Sequence, residues 1–132
     1  MKLLGIQTPA KQTEFESFLD QVSEKLASAI CKKMQGFAEL GEVYSSNSLK
    51  ILNPRIWGYK GTIYKLRVDC GKESARVLFA KNEENDLVLL HGFLKRTRKT
   101  PRKDAMIAMQ NLERLRQKIA LAPLPIEQYT QL

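Results

Sequence analysis

The spacing of apolar residues changes period along this chain, and that change limits the folds open to it. From Glu14 to Leu40 apolar side chains recur every three or four positions, which traces one buried stripe along a helix. From Ile63 to Val68 they alternate with lysine and arginine, as on a half-buried strand. Because the two periods occupy separate segments, the sequence predicts an α+β domain with helices packed on an antiparallel sheet.

Shorter signals locate the other elements of the first half. Met1 to Ile6 is a candidate strand. The helical stripe forms either one helix or two helices joined near Ser23, and Gly41 supplies its stop signal. Glu42 to Gly61 shows no clear period and is predicted to be a long loop.

The second half predicts a strand meander and a final helix. The strands are expected at Ile63–Val68, Ala75–Ala80 and Leu87–Phe93, joined by turns at Asp69–Ser74 and Lys81–Asp86. Thr100 followed by Pro101 is typical of a helix start, with a hydroxyl cap and then a proline. The buried stripe of that helix reaches Ile119, and two prolines follow it. We therefore predict one domain over 1–122 and a loose tail over 123–132.

Positive charge is concentrated in one segment. The formal net charge is +8, and the segment Lys95–Lys118 contributes nearly all of it, with nine basic and two acidic residues. Six cations stand in its first nine positions, here called the basic run: Lys95, Arg96, Arg98, Lys99, Arg102 and Lys103. Such a field attracts polyanions, most commonly nucleic acid. A solubilising surface or a docking site for an acidic protein segment are the alternatives.

Other features point away from metals and membranes. Cys31 and Cys70 lie far apart without a ligand pattern, which favours reduced thiols. His91 is the only histidine, so no zinc site or other cofactor is expected. Met1 to Ile6 does not read as a signal peptide, and no stretch approaches the roughly 18 apolar residues that span a bilayer. We expect a cytoplasmic protein.

Two segments carry a family resemblance. YKLRVDCGKESARVLFA (Tyr64–Ala80) and LVLLHGFLKRTRKTP (Leu87–Pro101) resemble the RelE/ParE superfamily of toxins from bacterial type II toxin–antitoxin modules. The nearest branch is the HigB-like, phage-associated one, in which a lysine stands in place of Arg96. The close match covers roughly Gly61–Leu115. It implies a small RelE-like fold and a toxin that cleaves messenger RNA, often at the ribosome. It also implies a cognate antitoxin, expected to be of the helix-turn-helix type.

RNA cleavage by 2′-OH attack needs no metal, but it does need a base, an acid and cations for the phosphate. The resemblance implies a catalytic lysine at Lys65, a phosphate-stabilising Arg76 and a basic pair at Lys95 and Arg96. The predicted catalytic residues are Lys65, Arg76, Arg96 and His91, and the predicted RNA-binding residues are Arg67, Lys95, Arg98, Lys99, Arg102 and Lys103. Crowded cations would depress the pKa of Lys65. A lone histidine in an apolar strand is, however, more often a hydrogen-bonded packing residue.

The chain also departs from the family pattern. Ile63 stands where some members carry a second strand lysine, and no tyrosine matches the one that members place in the C-terminal segment. The nearest candidates, Tyr59, Tyr64 and Tyr129, lie outside that motif, so the general acid is unassigned.

Other readings of the same residues stay open. Lys65 and Arg67 could form a solvated strand face, and Arg76 could pair with Asp69 or Glu73. A non-catalytic toxin of the same fold that inhibits DNA gyrase is one functional alternative. A nucleic-acid-binding module is another, with Trp57 and Tyr59 as its only nearby aromatic cluster.

Overall fold

The computed structural model describes residues 1–131, which fold into one six-stranded sheet flanked by helices. The strands are β1 (Leu3–Ile6), β2 (Leu49–Ile51), β3 (Tyr64–Cys70), β4 (Glu73–Lys81), β5 (Leu87–Leu94) and β6 (Leu121–Pro123). The helices are α1 (Glu14–Gln21), α2 (Glu24–Leu40), α3 (Pro54–Trp57), α4 (Arg102–Arg116) and α5 (Glu127–Thr130). The strand order is β2-β3-β4-β5-β1-β6, with only the β1–β5 pair parallel. The predicted α+β class and small RelE-like arrangement are confirmed.

The helical stripe is divided into two helices by local capping. Val22 is extended, and the Ser23 side chain accepts a hydrogen bond from the Leu26 N–H, so α2 begins there as a new helix. Gly41 ends α2 in the left-handed conformation, with φ of 72°. Of the two alternatives, the one with two helices joined near Ser23 is therefore correct, and the predicted stop at Gly41 is confirmed.

The sheet separates two apolar layers, one under α2 and one under α4. Alternate residues of β3 and β4, such as Leu66 and Phe79, pack toward α2, whereas Leu78 and Ala80 pack toward α4. Helix α4 lies over β5 and part of β4 and does not extend across β3. The residues of β3 that point to the α4 side, Lys65 and Arg67, therefore stand on a partly uncovered face of the sheet.

The predicted long loop over Glu42–Gly61 is wrong in its second part. From Leu49 onward it contains β2, which pairs with β3 at the edge of the sheet, and α3, which Asn53 caps. A three-residue strand and a four-residue helix are too short to show a period, so the sequence pattern did not reveal them.

The C-terminal expectation is also wrong. Helix α4 ends at Arg116, and Lys118 then takes a positive φ of 59°, which turns the chain into β6. Strand β6 pairs with β1, and α5 packs on α2. The residues 123–131 are thus not a loose tail, and residue 132 lies outside the described residues. The division into one domain over 1–122 stays a prediction. Within the described part of the chain, no helix is long and apolar enough to cross a membrane.

Candidate active site

Four cationic side chains from different elements meet beside the N-terminal end of α4. They are here called the cation cluster: Lys50 on β2, Lys65 on β3, Arg76 on β4 and Lys95 just after β5. Lys50 lies directly opposite Lys65 across the β2–β3 pair. Lys50 was missed at the sequence level because β2 was expected to be loop. The like charges are close enough that three of them lower the pKa of Lys65.

The cation cluster has no carboxylate partner among residues 1–131. The ion pairs there are Arg67–Asp69, His91–Asp104, Arg114–Glu14 and Arg116–Glu113. Arg76 instead donates to the Ser74 hydroxyl at 2.9 Å and to the Ala75 carbonyl at 3.0 Å. The alternative in which Arg76 forms an ion pair with Asp69 or Glu73 is therefore not seen. Asp69 lies near enough to raise the pKa of Arg76, but within the described residues no member of the cluster forms a direct ion pair, and such a group of cations favours an anionic ligand.

Lys65 makes a side-chain contact with the segment that precedes α4. Its Nζ donates a hydrogen bond of 2.9 Å to the Thr100 hydroxyl. Burial lowers the pKa of Lys65, and the positive charges of Lys95, Lys50 and Arg76 lower it further. The expected crowding of cations around Lys65 is thus present. Its charged neighbours come from β2, from β4 and from the segment after β5.

Thr100 does not cap α4 as the sequence predicted. The residue at the N-cap position is Pro101, whose backbone is extended and which offers no side-chain hydrogen bond. Thr100 lies one residue earlier, is only 9% exposed, and directs its hydroxyl to Lys65. The threonine of this motif therefore belongs to the site rather than to the helix start.

The basic run divides between the cluster and the surface. The Lys95 backbone N–H donates to the Ser74 carbonyl at 2.7 Å, and its Nζ donates to the Arg98 carbonyl at 2.7 Å. Burial lowers the pKa of Lys95, with further lowering from Arg76 and Lys50. The remaining cations of the run are exposed: Arg96, Arg98, Lys99, Arg102 and Lys103.

Arg96 points away from the cluster. It lines a groove of about 580 Å³ between α1 and the start of α4, together with Phe18, Gln21 and Lys103. Of the basic pair that follows the last meander strand, Lys95 is therefore the residue near Lys65 and Arg76.

His91 is engaged elsewhere. Its Nε2 lies 2.7 Å from Oδ1 of Asp104 in the first turn of α4, and both side chains are less than one-fifth exposed. In the sheet, Leu78 stands directly between Lys65 and His91. The contact links β5 to α4 and is not part of the cation cluster.

The aromatic candidates are engaged in other contacts. The Tyr59 hydroxyl donates to the Leu52 carbonyl, Tyr64 stacks on Phe79 in the α2 layer, and Tyr129 donates to Asp20. Trp57 and Tyr59 pack against the α4 layer rather than forming an open stacking surface. Within residues 1–131, no group of three histidine, cysteine, aspartate or glutamate side chains could hold a metal ion.

Comparison with known families matches the part of the chain that carries this site. The model of a family described as phage-derived protein Gp49-like (DUF891) matches residues 13–113. That span is more than half of the chain and contains all four residues of the cation cluster as well as Thr100. No curated protein matches the chain.

Proposed function

Because the chain belongs to the phage-derived Gp49-like family, a family of RelE-like toxins of toxin–antitoxin systems, we propose that it is an endoribonuclease toxin that cleaves messenger RNA. The observation that carries the proposal is the half-buried Lys65 amine, whose pKa is lowered beside the unpaired cations Arg76 and Lys95. A lysine with a depressed pKa that shares an open face with phosphate-binding cations is suited to acid–base chemistry on RNA.

The proposed reaction is attack of a ribose 2′-oxygen on the adjacent phosphorus. Neutral Lys65 accepts the 2′-OH proton as the new O–P bond forms, and the bond from phosphorus to the 5′-oxygen breaks. The products are a 2′,3′-cyclic phosphate and a 5′-hydroxyl. Burial and neighbouring cations lower the pKa of Lys65 and so favour its neutral form, which is the form that a general base requires.

Arg76 and Lys95 supply the remaining functions. The Arg76 guanidinium has donors beyond those that bond Ser74 and Ala75, and it would neutralise the charge that grows on the phosphate oxygens. Lys95 would protonate the departing 5′-oxygen, because an ammonium whose pKa is lowered gives up its proton more readily. This assignment provides the general acid that the missing tyrosine left open.

The other predicted site residues take supporting roles. Arg67 is half exposed beside the cluster, and the exposed cations of the basic run would contact the RNA backbone: Arg96, Arg98, Lys99, Arg102 and Lys103. We assign Arg96 to this backbone role because it lies in the groove beside α1. His91 holds the first turn of α4 through Asp104.

The wider setting follows from the family. An antitoxin partner is expected for such a toxin. We propose that this antitoxin is of the helix-turn-helix type and that cleavage takes place in the cytoplasm on ribosome-bound messenger RNA. The segment Leu87–Pro101, with its HGF and KTP runs, supports placement in the HigB-like branch.

The test uses the purified protein with an RNA oligonucleotide, both free and loaded on ribosomes, in the presence of EDTA. We expect cleavage to leave 2′,3′-cyclic phosphate and 5′-hydroxyl ends. A single 2′-deoxy substitution at the cleaved position should abolish it, because the nucleophile is then absent. If neither RNA is cut, while expression of the protein arrests growth with intact messenger RNA and raised DNA-damage markers, the gyrase-inhibitor alternative replaces this proposal.

A further inference from the structure

We propose that Thr100 is a positioning residue that holds the Lys65 amine for proton abstraction, an inference that rests on the proposed function and deepens it. The two residues come from β3 and from the segment before α4, and they are joined by the 2.9 Å hydrogen bond from Lys65 Nζ to Thr100 Oγ1. Thr100 is one of four buried polar residues in the described part of the chain. Its hydroxyl is buried and is used by Lys65 rather than by the start of α4.

A catalytic lysine needs such a contact more than most bases do. Its amine stands on a flexible four-carbon stem, so an unheld Nζ samples many positions that are useless for catalysis. Thr100 offers a stiff acceptor, since its side chain is β-branched and the ring of Pro101 restricts the backbone that follows. One hydrogen bond to threonine fixes the position of Nζ and leaves its other directions free to face RNA.

The chemistry of the acceptor matters as much as its position. A carboxylate at the place of Thr100 would stabilise the ammonium form of Lys65 and raise its pKa. A hydroxyl is uncharged, so it orients the amine without opposing the lowering that burial, Lys95, Lys50 and Arg76 produce. The positive end of the α4 dipole, which begins just after Thr100, also favours the neutral amine. Threonine is therefore the residue type that positions Lys65 and keeps it a base.

The experiment compares Thr100→Val, which loses the acceptor at nearly constant shape, with Thr100→Ser, which keeps it. Single-turnover cleavage is measured in whichever assay the wild type cleaves, and binding is measured with the same RNA carrying a 2′-deoxy group at the cleaved position. We expect Thr100→Val to lower the cleavage rate by about tenfold or more at unchanged binding, since misplacing a reacting group carries that scale of cost. Thr100→Ser should restore most of the rate.

A third variant tests whether the acceptor must be uncharged to keep the pKa of Lys65 low. Thr100→Asp keeps an acceptor, and the cations around it, Lys65 above all, offset the cost of burying its carboxylate. It should move the rising limb of the pH–rate profile to higher pH, because the carboxylate raises the pKa of Lys65.

The outcomes separate this inference from the proposed function. If the wild type cleaves RNA and Thr100→Val cleaves equally fast, the positioning role is wrong although the ribonuclease assignment stands. If Thr100→Val loses binding and cleavage in equal proportion together with thermal stability, the contact is merely structural and the inference is also wrong. If the wild type cleaves nothing, the proposed function fails. The hydrogen bond can then still be examined through the ¹³C resonance of the Lys65 side chain, whose failure to respond to Thr100→Val would overturn the positioning role independently.

Discussion

Arg67 on β3 and Arg76 on β4 lie directly opposite one another across the sheet. Like charges at opposed positions destabilise a strand pair, and only Arg67 has an ion-pair partner, Asp69 at 3.2 Å. Burial lowers the pKa of Arg76, the nearby Asp69 carboxylate opposes that lowering, and the Arg67 charge adds a smaller lowering. Such a pair is unfavourable for the sheet by itself and would be relieved by a bound anion.

The first prediction concerns Arg76 itself. Arg76→Ala should abolish growth arrest, because a cation on the transition-state phosphate is worth on the order of 3 kcal/mol, or roughly a hundredfold in rate. The melting temperature should stay within a few degrees, and antitoxin binding should persist. Arg67→Ala is the matched control, since it removes the opposed cation and should leave most of the cleavage rate. Full toxicity of Arg76→Ala, or its failure to fold, would show that the catalytic centre lies elsewhere.

The second prediction concerns the stability cost of the Lys65 base. In the folded state the pKa of Lys65 is lowered, so at low pH the fold carries a half-buried ammonium that the unfolded chain solvates freely. That cost is relieved as pH rises through the lowered pKa toward the ordinary value of lysine. Relative to Lys65→Met, the wild type should therefore gain stability with rising pH, as measured by urea denaturation at several pH values.

Lys72→Met, which alters an exposed turn lysine, controls for the simple loss of a lysine. A stability difference between Lys65→Met and the wild type that does not change with pH would contradict the assignment of a depressed pKa to Lys65. Cleavage should be lost in Lys65→Met at every pH, because methionine cannot accept the 2′-OH proton.

The third prediction concerns RNA backbone contacts. Replacing four exposed cations of the basic run with glutamine should weaken RNA binding and flatten its salt dependence: Arg96, Arg98, Lys99 and Arg102. Each lost phosphate contact should reduce the log–log slope by about 0.7 on single-stranded RNA. Replacing Lys25 and Lys32, which are exposed on α2, with glutamine is the control, because it lowers the net charge without touching the basic run. An unaltered slope in the fourfold variant would mean that the basic run faces solvent or a protein partner.

The fourth prediction tests whether His91 stabilises the fold or takes part in catalysis. His91→Ala leaves the Asp104 carboxylate unpaired in a poorly exposed position, which should cost about 1–3 kcal/mol of stability. Cleavage should persist below the new melting temperature, because His91 does not reach the cation cluster. His91→Asn, which keeps a hydrogen-bond donor, should recover part of the stability. Loss of cleavage at unchanged stability would instead make His91 catalytic.

Sequence alone determined the elements whose burial is one-sided over many residues. Apolar side chains recur wherever α2 and β3 face the core, so the helical stripe of α2 and the alternation of β3 can be recognised in the sequence. Capping is equally local, which is why the junction at Ser23 and the end at Gly41 were predictable. The concentration of positive charge after β5 was also visible in the sequence, because finding it requires only a count of charged residues.

Tertiary structure decided which of those residues share a site. Lys50 reaches Lys65 only because the short strand β2 pairs at the sheet edge, and Thr100 reaches Lys65 only because α4 starts beside β3. The same long-range packing directs Lys95, rather than Arg96, toward Arg76. Contacts between residues far apart in the chain leave no period in the sequence, and segments of three or four residues are too short to carry one. The identity of the groups around Lys65, above all Lys50 and Thr100, therefore follows from tertiary packing.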